Sequence, residues 1–364
     1  MANNDNIFET KKQGKIVILS DMIKEFRRYS SNHPLKMASD YIFDENGNII
    51  KDKIWRYCNI INSYNSICIA LQTLYQRDVE VYKDFVLNKL KAEDSQNGYN
   101  KQRLISALAE IAVIFNFTNS YGWTDFVYEN KINDTSSKNV DFTITYPEQT
   151  FHIEIKTFDL QDRHKKLKKS HANGDYFIEI NNKLSNESFQ LVKTYFKERV
   201  VHSIDDRVEN FVKDALPKFP NSKKRKESNV LLFNYNEKIE QINACLLKKN
   251  VGCLSKLNSS NILDFVVSTS LYTRIEYYLE VLQNPSLLIL MLPDQSPFYM
   301  HFCKWSIIDA NQAKDHSFEH DILSKICFNA PTCTQYIADQ IPDSYIYKGE
   351  SLVCNGDLSN MKTP

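Results

Sequence analysis

Glycine and proline are scarce, at 8 and 10 of 364 residues, which excludes collagen-like and low-complexity chains. No proline stands between Pro34 and Pro147, so long helices are permitted there. An excess of either charge is also missing: 45 Lys and Arg face 45 Asp and Glu. Overall charge therefore does not point to a nucleic-acid partner, and any such surface must come from local clustering. The longest apolar runs, Leu104–Phe115 (broken by Ser106 and Glu110) and Ser286–Pro293, fall far short of the roughly 20 residues a membrane span needs. No charged and then apolar leader opens the chain. A soluble, cytoplasmic protein with no membrane partner is expected. The eight cysteines include no C-x-x-C pair, so reduced, buried thiols are expected rather than disulfides or a zinc ribbon. Phosphate-cradling loops, dinucleotide fingerprints and nucleophile elbows are absent as well.

What is present is apolar and aromatic material, 42% hydrophobic with 20 Tyr and 21 Phe, enough for a large core in two or three domains. Apolar residues three or four apart from Ile54 to Tyr75 predict helix over Asp52–Leu90. Residues 1–98 thus read as a mainly helical N-terminal region, closed by a polar linker at Ala92–Lys101. A different rhythm follows. Arg103–Phe117 is a strongly apolar helix, and Trp123–Glu129 a short strand. Val140–Tyr146 and Phe151–Thr157 alternate with period two about a Pro147–Thr150 turn, which predicts a hairpin. A helix near Asn186–Val200 and a buried strand at Asn229–Tyr235 complete an α/β unit over 99–240. Residues 241–364 read as an α/β extension, with a helix at Glu237–Lys249, an ambiguous stretch at Ile262–Leu282, and strands at Leu287–Leu292 and Tyr299–Ile307.

The hairpin carries the chemistry. Val140, Phe142 and Ile144 point one way, and Asp141, Thr143 and Thr145 the other; Phe151, Ile153 and Ile155 oppose His152, Glu154 and Lys156. Where the polar faces coincide, Asp141, Glu154 and Lys156 project into one space. Converging carboxylates repel unless a cation lies between them, and hard oxygens with open positions suit Mg²⁺ or Mn²⁺. A lysine two residues from one carboxylate can hold or deprotonate a water for attack on phosphorus. The competing reading is a solvent-exposed hairpin bearing ordinary charges.

Asp141, twelve intervening residues and then Glu154-Ile155-Lys156 resemble the PD-(D/E)XK nuclease superfamily, with its restriction-endonuclease-like fold. The resemblance covers about residues 100–240. It implies a mixed central sheet flanked by helices, metal binding by Asp141, Glu154 and the Ile155 carbonyl, and a water served by Lys156. The family's proline before the aspartate is Val140 here. Two further triplets fit less well: Glu9-Thr10-Lys11 lies in a polar terminus, and Glu129-Asn130-Lys131 has only Asp125, on its own segment. Relatives often add a carboxylate from the preceding helix, and Glu110, the one charged residue in Leu104–Phe115, is the candidate for that catalytic and metal-binding role. The resemblance implies phosphodiester hydrolysis leaving a 5′-phosphate, on DNA before RNA, in restriction or phage defence. A homodimer is expected, since two strands need two sites, and the resemblance also leaves room for a partner subunit of a defence system. The rivals are an RNase or structure-specific nuclease on the same core, and an inactive nuclease-fold binding or assembly module.

Lesser signals surround this site. Gln190 is a candidate supporting residue, although Tyr195 follows it at five positions rather than four, about 100° off the expected helix face. Lys165, Lys166, Lys168 and Lys169 form a basic cluster suited to phosphate contact, and Lys223–Lys226 is a second. His316 and His320 stand one helical turn apart, but Cys327 and Cys333 complete no recognised zinc spacing.

Overall fold

The computed structural model describes residues 19–30, 33–48, 50, 67–91, 93–94, 98–119, 122–133, 136–158, 178–180, 200–202, 204–220, 226–234, 239–247, 252–269, 305–311, 315–327 and 333–336. The protein is mixed α/β. Its main sheet among these residues has seven strands in the order β11-β10-β9-β8-β5-β4-β3. The strands are β3 (Asp125–Tyr128), β4 (Phe142–Thr145), β5 (Thr150–Thr157), β8 (Glu227–Asn234), β9 (Phe265–Thr269), β10 (Trp305–Asp309) and β11 (Cys333–Tyr336). β3, β4 and β5 form an antiparallel meander. β8 runs parallel to β5 and β9 parallel to β8, after which β10 reverses and β11 runs parallel to β10.

Both faces of the sheet are covered. On one, Phe142, Ile144, Phe151, Ile153, Val230, Leu232 and Val267 pack with α5 (Lys101–Asn119). Met22 and Phe26 from α1 (Leu19–Phe26), Leu71 and Leu74 from α3 (67–77), and Phe85 and Val86 join the same core. This explains why α5 is apolar nearly all round: it lies between the sheet and other helices, so no broad face meets water. On the other face, Leu231, Phe233, Val266 and Ile308 pack with Val208 and Val212 of α6 (Ile204–Ala215) and Ile242 and Leu246 of α7 (Ile239–Leu247). Consecutive apolar residues Val230–Phe233 thus serve two cores, as a strand buried on both sides requires.

Several expectations change. The helix expected over Asp52–Leu90 is interrupted at Asp78, whose side chain accepts hydrogen bonds from the N–H groups of Glu80 and Val81 and starts α4 (Val79–Asp84). Such capping by aspartate satisfies donors that a continuing helix would use otherwise. α4 runs into a π turn, Phe85–Lys89. The linker expected at Ala92–Lys101 contains a two-residue ladder, β1 (Glu93–Asp94) with β2 (Gly98–Tyr99), and Lys101 already belongs to α5. The boundaries expected at 98 and 240 separate no cores. The N-terminal helices share the core of α5, and β9 to β11 continue the sheet of β3 to β8. The strand expected at Tyr299–Ile307 is described as Trp305–Asp309, while Leu287–Leu292 lies outside the described residues.

Two short strands, β6 (Ile178–Ile180) and β7 (Val200–His202), pair in parallel as a separate sheet. Val200 therefore opens a strand rather than ending the helix expected near Asn186–Val200, the rest of which lies outside the described residues. α2 (Pro34–Ile42), α8 (Cys253–Leu257) and α9 (Ser317–Cys327) complete the described helices. Cys68, Cys253 and Cys327 are buried, and Cys245 is partly buried. No described helix is long and apolar enough to cross a membrane.

Candidate functional site

The β4–β5 register pairs Phe142 with Ile153 and Thr143 with His152. One step further along, Asp141 would stand across from Glu154. The chain bends there, and the alternation expected for Val140, Phe142 and Ile144 ends: Val140 packs into the core of α6 and α7 on the opposite face. Asp141 thereby replaces the ladder with a side-chain bond, its Oδ2 accepting the Ile155 N–H at 2.5 Å.

The polar face of the hairpin is not solvent-exposed. Glu154 is 1% exposed, and Thr143 and His152 are also buried. Thr143 Oγ1 lies 2.9 Å from His152 Nδ1 and accepts a hydrogen bond from Asn130. The alternative of an ordinary exposed hairpin therefore fails, because a buried carboxylate needs compensation that a wet one does not. Glu154 Oε1 receives it twice, from Lys156 Nζ at 2.9 Å and Lys218 Nζ at 2.6 Å. Its Oε2 is buried with no hydrogen-bond partner among the described residues.

Burial pushes the Asp141 carboxyl well above the ordinary carboxylate range, and the nearby negative charges of Glu154 and then Glu110 add to that. The Ile155 N–H and the Lys218 ammonium oppose the shift without cancelling it. Two acidic groups held this close, one of them with a bare oxygen, form a place that attracts a cation. Among the described residues no three His, Cys, Asp or Glu side chains converge as an ion-binding group. Asp141, Glu154 Oε2 and the Ile155 carbonyl remain as a donor set. That set fits Mg²⁺, which takes one or two carboxylates and keeps several waters.

Asp141, Lys156 and Lys218 open into a cleft of about 420 Å³, completed by Glu129, Lys138, Asn139, Val140 and Asp214. Lys218 comes from the 3-10 turn Leu216–Lys218 that follows α6. Nothing in its local sequence marks it, since it reaches Glu154 across 64 positions of chain. Glu129, in a triplet set aside on sequence grounds, does line the cleft, and its N–H donates to the Asp141 carbonyl at 2.8 Å.

Glu110 lies within electrostatic reach of Asp141, yet its Oε2 is already engaged. It accepts from Tyr128 Oη at 2.5 Å and from Lys89 Nζ at 3.2 Å. Lys89 also pairs with Glu129 Oε1 at 2.9 Å and donates to Tyr128 Oη. Burial alone would lower the lysine's affinity for its proton, but Glu110 and Glu129 raise it, so Lys89 stays charged. Burial and then Glu110 push the Tyr128 phenol far up, so it remains a neutral donor.

Gln190, Lys165, Lys166, Lys168 and Lys169 lie outside the described residues. Of the second basic cluster only Lys226 is described, exposed in a turn. His316 is buried 3.7 Å from Asp264 and His320 lies beside Ser324 Oγ, so each has a structural setting. Comparison of the chain with protein-family models, curated proteins and solved structures finds no match.

Proposed function

We propose that this protein is a divalent-metal-dependent nuclease on a restriction-endonuclease-like core, hydrolysing phosphodiester bonds of DNA in a restriction or phage-defence role. One observation carries the reading. Asp141, just before β4, and Lys156 line one cleft, and Glu154, paired with that lysine, keeps a buried oxygen without a hydrogen-bond donor. The order α5, β3, β4, β5, β6, β7, α6, β8, with an antiparallel meander β3 to β5 and β8 parallel to β5, supports it by agreeing with a mixed central sheet flanked by helices.

Asp141, Glu154 and the Ile155 carbonyl would hold the ion, which when bound supplies positive charge against the phosphate. Lys156 stands beside Glu154 at the cleft, where its amine can orient the attacking water. Lys138 and Lys218 line the same cleft and suit a phosphodiester backbone electrostatically. Burial of Glu154 behind these groups strengthens every charge interaction at the site. A homodimer would bring two such clefts to the two strands of a duplex.

Incubation of the full chain with plasmid DNA and, separately, RNA in Mg²⁺ tests the proposal. Cleavage of DNA by the parent is expected, with its loss in Asp141→Ala and Lys156→Ala. Cleavage of RNA alone would move the substrate class. One observation favours a second reading, an inactive nuclease-fold binding module: two lysines already neutralise Glu154 without any ion. Binding of nucleic acid without cleavage, across Mg²⁺ and Mn²⁺, would decide for that module.

A further inference from the structure

On the metal-dependent reading above, we propose that Lys89 takes the place of a second divalent ion, so that one ion alone binds, at Asp141 and Glu154. Glu110 and Glu129 are thereby positioned outside the coordination sphere rather than in it. The site is then completed by a cation that the N-terminal helical region carries with it.

The geometry is that of an ion held by its ligands. An ammonium has three donors, and Lys89 has three oxygen neighbours: Glu110 at 3.2 Å, Glu129 at 2.9 Å and the Tyr128 hydroxyl. Tyr128 donates in turn to Glu110 Oε2, so that oxygen is doubly engaged. The ring faces of Phe85 and Tyr128 lie 5.5 and 4.8 Å from the ammonium, which adds cation–π attraction.

The backbone is arranged for this contact at both ends. Lys89 ends the π turn Phe85–Lys89, closed by the Leu90 N–H on the Phe85 carbonyl. Such a turn fits an extra residue into a helix and is found often at functional sites. Glu129 adopts a left-handed backbone, with φ +47°, which costs a residue bearing a side chain. That conformation joins an N–H bonded to the Asp141 carbonyl with a carboxylate paired to Lys89. A lone structural salt bridge would not require strain at this position.

Titrating Mn²⁺ into the full-length chain without substrate, followed by calorimetry and by electron paramagnetic resonance, reads the stoichiometry directly. The parent is expected to bind one ion per chain. Lys89→Met should bind two, because Glu110 and Glu129 then face each other uncompensated, and Lys89→Arg should return to one. Glu110→Gln keeps size and shape, so it decides the matter even where Lys89→Met does not fold. It should bind one ion with an affinity within about threefold of the parent, since Glu110 is not a ligand. Two ions in the parent, one ion in a folded Lys89→Met, or loss of the ion in Glu110→Gln would overturn the assignment while leaving the nuclease reading intact. A parent that binds no ion would instead remove the metal-dependent reading itself.

Discussion

Neutralising Asp141 should make the ion-free protein more stable, the reverse of what a structural carboxylate would do. In Asp141→Asn the amide oxygen can still accept the Ile155 N–H, so the bond seen at 2.5 Å has a replacement. What disappears is a negative charge that burial, Glu154 and Glu110 all disfavour. At an effective dielectric near 20, like charges about 4 Å apart repel by about 4 kcal/mol and more distant ones by less, and the lost attraction to Lys218 offsets part of that. A net gain of about 1–2 kcal/mol is left. For 364 residues, an unfolding entropy of about 2.1 cal/mol/K per residue turns this into a rise in Tm of about 1–3 °C. The assay is thermal unfolding in chelator from pH 4 to pH 8.

The sign follows from linkage. Because the folded pKa of Asp141 is raised, its protonation stabilises the parent in full below the unfolded value of about 3.9. That contribution is lost as pH rises through the folded pKa. The asparagine variant has no such dependence, so its advantage should be small at pH 4 and greatest at pH 8. Excess Mg²⁺ should reverse the ranking. An ion at 100 times its Kd adds about 2.7 kcal/mol to the parent, and little to a variant that has lost a ligand. An Asp141→Asn protein less stable than the parent at pH 8 in chelator, or a difference that ignores pH, would refute the reasoning.

Further outcomes follow from the same geometry. Lys218→Met should raise the apparent Mn²⁺ affinity severalfold in calorimetry, because the ion no longer competes with an ammonium 2.6 Å from Glu154; weaker binding would show that Lys218 supports the ion instead. Asp78→Ala should lower stability in urea unfolding by about 1 kcal/mol through loss of the α4 cap, with cleavage per folded molecule unchanged. Leu232→Ala, at a fully buried position of β8, should cost about 2–5 kcal/mol in the same assay.

Local order was readable where a single segment carries its own pattern. The two-residue alternation of Phe142 and Ile144 against Phe151 and Ile153 predicts the hairpin that is found, because side-chain direction in a strand depends on position alone. The apolar run of α5 and the continuous Val230–Phe233 likewise announce burial. Asp141, Glu154 and Lys156 could be singled out because they ride on that hairpin. Only the tertiary structure decided that β9 to β11 extend the same sheet across the expected boundary at 240. Only it covered the hairpin's polar face and brought Lys218 and Lys89 to the carboxylates. Strand partnership and the arrival of a distant ammonium depend on how separate segments pack, and that leaves no period or spacing in the chain between them.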